Sequence, residues 1–174
     1  MTVRVMGVDP GLARVGVAVL EAGARPCVLE AYVAATTKGK GKRTDDDVSR
    51  MRMIWANIAH TFEEYQPQTL AVEAYTVFKG TQGGQGRGAG WKAIYAYSMT
   101  CALGFSKGVK VVSFMPSELK LGVTQNKSAG KYEVEHALYD LVDGMREKME
   151  QTPPGDREHA ADAIGHAFLA LKRG

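Results

Sequence analysis

Cysteine is scarce in this 174-residue chain: Cys27 and Cys101 are the only two. Two isolated thiols build neither a disulfide framework nor a cysteine-rich metal cluster. Each lies in an apolar stretch, so both read as core thiols in a reducing compartment. No apolar run is long enough to span a bilayer. The opening Met1-Thr2-Val3-Arg4-Val5 enters a strand pattern without the layout of a secretory leader. A cytoplasmic protein with no membrane partner is therefore expected. Three catalytic signatures are missing as well: there is no P-loop, no Gly-x-Ser-x-Gly elbow and no His-Glu-x-x-His pair. Excess charge is also slight. Lys and Arg number 22 against 19 Asp and Glu, a net charge of +3, which permits a polyanionic partner without requiring one. With 45% hydrophobic and 24% charged residues, the composition is that of an ordinary globular protein, and one domain over residues 1–174 is expected.

What is present is a regular alternation of strand and helix patterns. Residues 3–9 alternate and are valine-rich, and Pro10-Gly11 ends them. Residues 15–20 and 27–34 are two further strand candidates, and the short turns between the three suggest an antiparallel meander. Lys38, Lys40, Lys42 and Arg43, spaced by glycines, form a basic loop. Over 45–65, Val48, Met51, Ile54, Trp55, Ile58 and Phe62 recur at helical spacing. Asp45, Asp46 and Asp47 stand at the start, where the helix dipole favours negative charge. Residues 69–73 form a short buried strand, 79–90 a glycine-rich loop, 91–106 a helix and 109–114 another strand. Pro116 opens a short helical turn, Ser128 caps a helix running to about Asp143, 150–155 is a stiff break, and a last helix covers 156–172. These elements describe an α/β fold: a mixed sheet covered by helices.

The chemistry sits in the acids. Asp9 ends the first strand and Glu73 ends the strand Leu70-Ala71-Val72. Either alone fits simple strand punctuation. Together they imply neighbouring strands that present two carboxylates at one sheet edge. Such a pair is costly to bury unless a cation neutralises it. Oxygen donors of this kind favour Mg²⁺ or Mn²⁺. In the last helix, His159 and Asp162 are three residues apart and share one face. Their neighbours Ala160, Ala161 and Ala163 are small enough for close packing on a sheet. His159 also fits a capping or surface histidine, and His166, four residues after Asp162, reads as structural. Two metals held by Asp9, Glu73, His159 and Asp162 would activate water and stabilise the leaving oxygen of a phosphodiester.

The segments Met6-Gly7-Val8-Asp9-Pro10-Gly11, Leu70-Ala71-Val72-Glu73 and His159-Ala160-Ala161-Asp162-Ala163 resemble the RuvC Holliday junction resolvases, in order and spacing over nearly the whole chain. The resemblance implies an RNase H-like fold with a mixed five-stranded sheet, a homodimer and paired cuts in four-way DNA junctions. It implies two Mg²⁺ ions per active site, with Mn²⁺ as a substitute, on Asp9, Glu73 and Asp162. The family's fourth acidic position falls on His159, where some members carry Asp and others His. The family's two lysines near the active site match Lys120 and Lys131, and Lys127 would share the phosphate contact. A cation there would hold the scissile phosphate and offset transition-state charge.

Two departures stand out. The family's base-stacking aromatic, three positions after the strand glutamate, is replaced by Thr76, flanked by Tyr75 and Phe78, either of which offers a stacking face. The loop carrying Lys79 and Arg87 is unusually rich in glycine, which suits a segment that orders on DNA. Three other readings stay open at this stage. One is an RNase H-like nuclease acting on other branched DNA or structured RNA. Another is an actin-like ATPase or sugar kinase, suggested by the Gly7-to-Gly11 turn but needing a second copy of the fold. The third is a module that binds branched DNA without cutting it.

Overall fold

The computed structural model describes residues 2–37, 43–75 and 87–174. The element order is β1 (Arg4–Asp9), β2 (Arg14–Glu21), β3 (Cys27–Ala35), α1 (Arg43–Tyr65), β4 (Thr69–Glu73), α2 (Arg87–Ser106), β5 (Lys110–Phe114), α3 (Pro116–Thr124), α4 (Lys131–Leu141), α5 (Met145–Gln151) and α6 (Arg157–Arg173). The five strands form one mixed sheet in the order β3-β2-β1-β4-β5. The first three make the expected antiparallel meander, and β4 and β5 run parallel to β1.

Strand periodicity decides which helix each side chain meets. On one face, Met6 and Val8 of β1, Val15, Val17 and Val19 of β2, and Leu70 and Val72 of β4 pack with Ile54, Ile58 and Phe62 of α1 and Leu103 of α2. On the other face, Val5, Ala18, Leu20, Ala71 and Phe114 pack with α3, α4 and α6. Successive side chains of a strand point to opposite faces. Asp9 therefore shares the face of Val5, and Glu73 that of Ala71. Both strands deliver their terminal carboxylate to the α6 side.

The sheet lets α6 in very close. An added Cβ at Gly7 would lie 2.0 Å from the Ala163 carbonyl oxygen, and one at Gly16 would lie 2.0 Å from that of His159. Only glycine fits at these two strand positions. The alanines at 160, 161, 163, 167 and 170 supply the matching thin surface of the helix. On the opposite side, the turn after β1 is clamped by the buried Arg50. Its Nη2 donates to the Leu12 carbonyl (3.1 Å) and its Nε to Thr36 Oγ1 (2.7 Å). Asp46 and Asp47 neutralise it, and Lys92 from α2 pairs with Asp47 at 2.9 Å.

Several expectations require correction. Cys101 is buried but Cys27 is exposed, because it opens β3, the outermost strand, directly after Pro26. The helix after residue 128 starts at Lys131 with Gly130 as its cap. Ser128 instead donates its backbone N–H to Asn126 Oδ1 (2.9 Å), a local turn that competes with helix. The stiff break begins later than 150, since α5 occupies 145–151. Its two apolar anchors, Met145 and Met149, are too few to reveal a helical period in a stretch otherwise charged. Arg87 opens α2 rather than lying in the preceding loop.

Candidate active site

Four elements bring their functional side chains to one sheet edge. Val8 of β1 pairs with Val72 of β4, and Asp9 and Glu73 are the next residues on those strands. Asp9 is itself paired with Gly16, the glycine on which His159 rests. That contact sets the first turn of α6 over the end of β1, and His159 Nδ1 meets Asp9 Oδ2 at 2.6 Å. A carboxylate only accepts, so Nδ1 carries the hydrogen and Nε2 is left for another partner. This bond raises the His159 pKa above its ordinary value against the opposing effect of burial, and the charges of Asp9 and Asp162 add to the rise.

Asp162 follows one helical turn after His159, partly buried at the α6–sheet seam. Burial pushes its carboxyl pKa up to about 7, and repulsion from Asp9 and Glu73 adds to the shift. Lys131 and His159 act on it in the opposite direction. Thus the acids of β1 and β4, the helix pair of α6 and the first lysine of α4 are within electrostatic reach of one another.

The acids are not drawn into a cage. Among the described residues, no three His, Cys, Asp or Glu side chains are gathered closely enough to hold an ion as they stand. Asp9 is engaged by His159, and Glu73 Oε2 by His166 Nε2 at 3.3 Å. The donor chemistry nevertheless fits a hard divalent cation. Three carboxylates with one imidazole converge there, and the central carboxylate is desolvated and repelled by its neighbours. A cation would relieve that repulsion.

The cationic candidates divide. Lys131, exposed at the start of α4, forms an ion pair with Glu158 of α6. Lys120 lies within α3 and Lys127 in the α3–α4 connection, and among the described residues neither side chain is engaged in a hydrogen bond or ion pair. Tyr75 is half-buried just past β4. Phe78 and Lys79 lie outside the described residues, as do Thr76 and the side chain of Arg87. His166, read from the sequence only as structural, is the further residue that the fold brings to the acids. It is fully buried yet reaches Glu73, a contact that its place one turn after Asp162 on the same helix face foreshadows.

Comparison with known proteins follows the same residues. The family profile described as crossover junction endodeoxyribonuclease RuvC matches residues 5–169. The chain belongs to the RuvC family. RuvC-family relatives are similar over almost the full length of both chains. The crossover junction endodeoxyribonuclease RuvC of Salinispora arenicola is 31% identical over 98% of this chain and 89% of its own. That of Methylococcus capsulatus is 30% identical over 97% and 90%, and that of Methylobacillus flagellatus 28% identical over 97% and 86%. In structure, the fold matches a Thermus thermophilus RuvC solved in complex with Holliday junction substrate, with a TM-score of 0.78 at 23% identity over 98% of this chain and 94% of that one. A yeast mitochondrial Holliday junction resolvase matches with a TM-score of 0.70 at 12% identity, covering 98% of this chain and 78% of the other. The RNase H-like class expected from the sequence is the class of these RuvC neighbours.

Proposed function

We propose that this chain is a structure-specific endonuclease, one nuclease domain over residues 1–174, that resolves four-way DNA junctions. Paired hydrolysis would leave 5′-phosphate and 3′-hydroxyl ends. The observation that carries the reading is the convergence on Asp162: in a RuvC-family chain, its carboxyl feels Asp9, Glu73, His159 and Lys131 at once. Asp9, Glu73, His159 and Asp162 would hold two Mg²⁺ ions, with Mn²⁺ able to replace them. When bound there, such ions supply an activated water and neutralise charge on the departing oxygen.

The chain's own residues do the positioning. The Asp9–His159 bond fixes the imidazole tautomer, so Nε2 is the atom available to a cation or to the water's proton. Asp162 is desolvated, which strengthens its interaction with any cation it meets. Lys131 supports the phosphate after leaving Glu158, and Lys120, Lys127, Tyr75, Phe78, Lys79 and Arg87 extend the DNA contact. Lys131→Ala should reduce the slope of log affinity against log salt concentration by about one, measured by junction binding over a salt series. An unaltered slope would remove Lys131 from the phosphate contact.

A second copy of the chain completes the proposal. Val48, Met53 and Trp55 of α1 and Ile94 and Tyr95 of α2 are apolar yet exposed. A two-fold homodimer through this region would cover them and present two sites to the two-fold symmetry of a junction. No described helix is long and apolar enough to cross a membrane; a cytoplasmic setting is proposed from the reading as a DNA-acting enzyme.

The deciding assay compares mobile junctions, fixed junctions, flaps, duplex DNA and structured RNA, each with and without Mg²⁺. Symmetric paired nicks confined to junctions, and only with the ion, are expected. Preferential cutting of structured RNA, or binding of junctions with no cutting at any ion concentration, would overturn the reading.

A further inference from the structure

Resting on the reading of Glu73 as a cation ligand, we infer that His166 is a positioning residue: it holds Glu73 Oε2 from inside the core and leaves Oε1 for the ion. His166 has no exposed surface, lying between α6 and the sheet. Its Nε2 stands 3.3 Å from Glu73 Oε2, at the long end for a hydrogen bond. The other ring nitrogen, Nδ1, is buried without a hydrogen-bond partner. A carboxylate offers only acceptors, so the hydrogen of the pair belongs to Nε2. Placing it on Nδ1 would strand a buried donor and set two lone pairs against each other.

The ring itself has little freedom. Phe114 lies parallel to it, with centroids 6.4 Å apart and planes 2° from coplanar. Phe114 is the β5 residue that pairs with Glu73 in the sheet, so the same strand pair that carries the carboxylate also carries the wall behind the histidine. Beyond Phe114, the Arg173 guanidinium lies 4.9 Å from the ring centroid and pairs with Glu118 at 3.0 Å. The last turn of α6 thereby backs Phe114. A polar imidazole in an otherwise apolar helix interior, with one nitrogen unpaired, is an expensive choice for packing alone. Orientation of a ligand carboxylate gives that cost a purpose, since partners of this kind govern metal affinity.

The test is Mn²⁺ binding to the DNA-free protein, followed by electron paramagnetic resonance, for wild type, Glu73→Ala, His166→Leu, His166→Gln and the Glu73→Ala/His166→Leu double variant. His166→Leu should weaken binding about 10-fold or more. His166→Gln, whose amide nitrogen can donate from nearly the same place, should recover most of that loss. In the Glu73→Ala background, His166→Leu should add nothing. Wild-type affinity in a folded His166→Leu protein, or equal losses in the Leu and Gln variants, would overturn the proposal. Wild-type affinity in Glu73→Ala would instead sink the ligand assignment, and the proposal with it. Should His166→Leu fail to fold, the imidazole ¹⁵N shifts of the wild type decide. A hydrogen on Nε2 whose resonance moves when Mg²⁺ is added is expected, and a hydrogen on Nδ1, or no response to Mg²⁺, would overturn the assignment.

Discussion

Asp162→Asn is expected to lower junction cleavage by about 10³-fold or more while raising the stability of the cation-free protein. The first effect follows from losing a central cation ligand, because metal stabilisation of transition-state charge amounts to several kcal/mol. The second follows from the electrostatics of the site. Burial and the Asp9 and Glu73 charges lift the Asp162 pKa from 3.8 to about 7. The folded state then binds a proton more tightly than the unfolded chain, so stability falls as pH rises from about 4 through 7 and stays low above that. Allowing for solvent screening of a partly exposed group, the penalty at pH 8 is on the order of 2 kcal/mol. Asn carries no such charge, and a gain of that size would raise the melting temperature by about 5 °C. Thermal unfolding without divalent ions should therefore show a gap between variant and wild type that is wider at pH 8 than at pH 5. His159 changes stability in the same direction. The contribution of its raised pKa is fully present below about 6.5 and is lost as pH climbs through the folded value. The histidine is present in both proteins, so the gap chiefly reports Asp162. Asp9→Asn is the contrasting control: it should lose cleavage to a similar degree and retain junction binding. It should gain less stability than Asp162→Asn, because relief of the repulsion on Asp162 is offset by weakening of the Asp9–His159 pair. Equal melting temperatures for Asp162→Asn and wild type at pH 8 would refute the account.

This opposition between stability and chemistry is visible at the level of single residues in the sequence, though unevenly. Asp9 and Glu73 are legible because strand period fixes their face. Each lies an even number of residues from a small or apolar partner on the α6 side, Asp9 from Val5 and Gly7, and Glu73 from Ala71. The pair His159 and Asp162 is legible because helical spacing places both on one side among alanines. Lys131 is legible only through family likeness, and its pairing with Glu158 joins residues 27 apart. His166 is legible as a structural histidine on the Asp162 face, but its partner Glu73 lies 93 residues away, so the spacing alone does not name the carboxylate it meets. The same limit applies to α5, whose two methionines acquire meaning only when β3 and α6 are beside them. Contacts dictated by one element's own period are readable. Contacts that depend on which elements become neighbours are not.

Gly16→Ala is the second large effect, and it is geometric rather than electrostatic. The new Cβ would lie 2.0 Å from the His159 carbonyl oxygen and 2.6 Å from its carbonyl carbon. Both are backbone atoms, so no rotamer change relieves the clash and α6 or β2 must move. Overpacking of this kind costs roughly 1–3 kcal/mol. The sharper consequence falls on the site, because the displaced turn carries His159 and precedes Asp162 by one turn. A shift of about 1 Å at reacting groups can cost 10²-fold in rate. Single-turnover cleavage at saturating Mg²⁺ should accordingly fall by about that factor, with junction affinity changed only a few-fold, since Lys120, Lys127 and Lys131, proposed to meet DNA, sit on α3, α4 and their connection. Gly155→Ala, in the turn just before α6, meets nothing within 4 Å and should leave both measurements unaltered. If Gly16→Ala cleaved at the wild-type rate, the helix would not need its close seat on β2, and the placement of His159 over Asp9 could not be what the glycine secures.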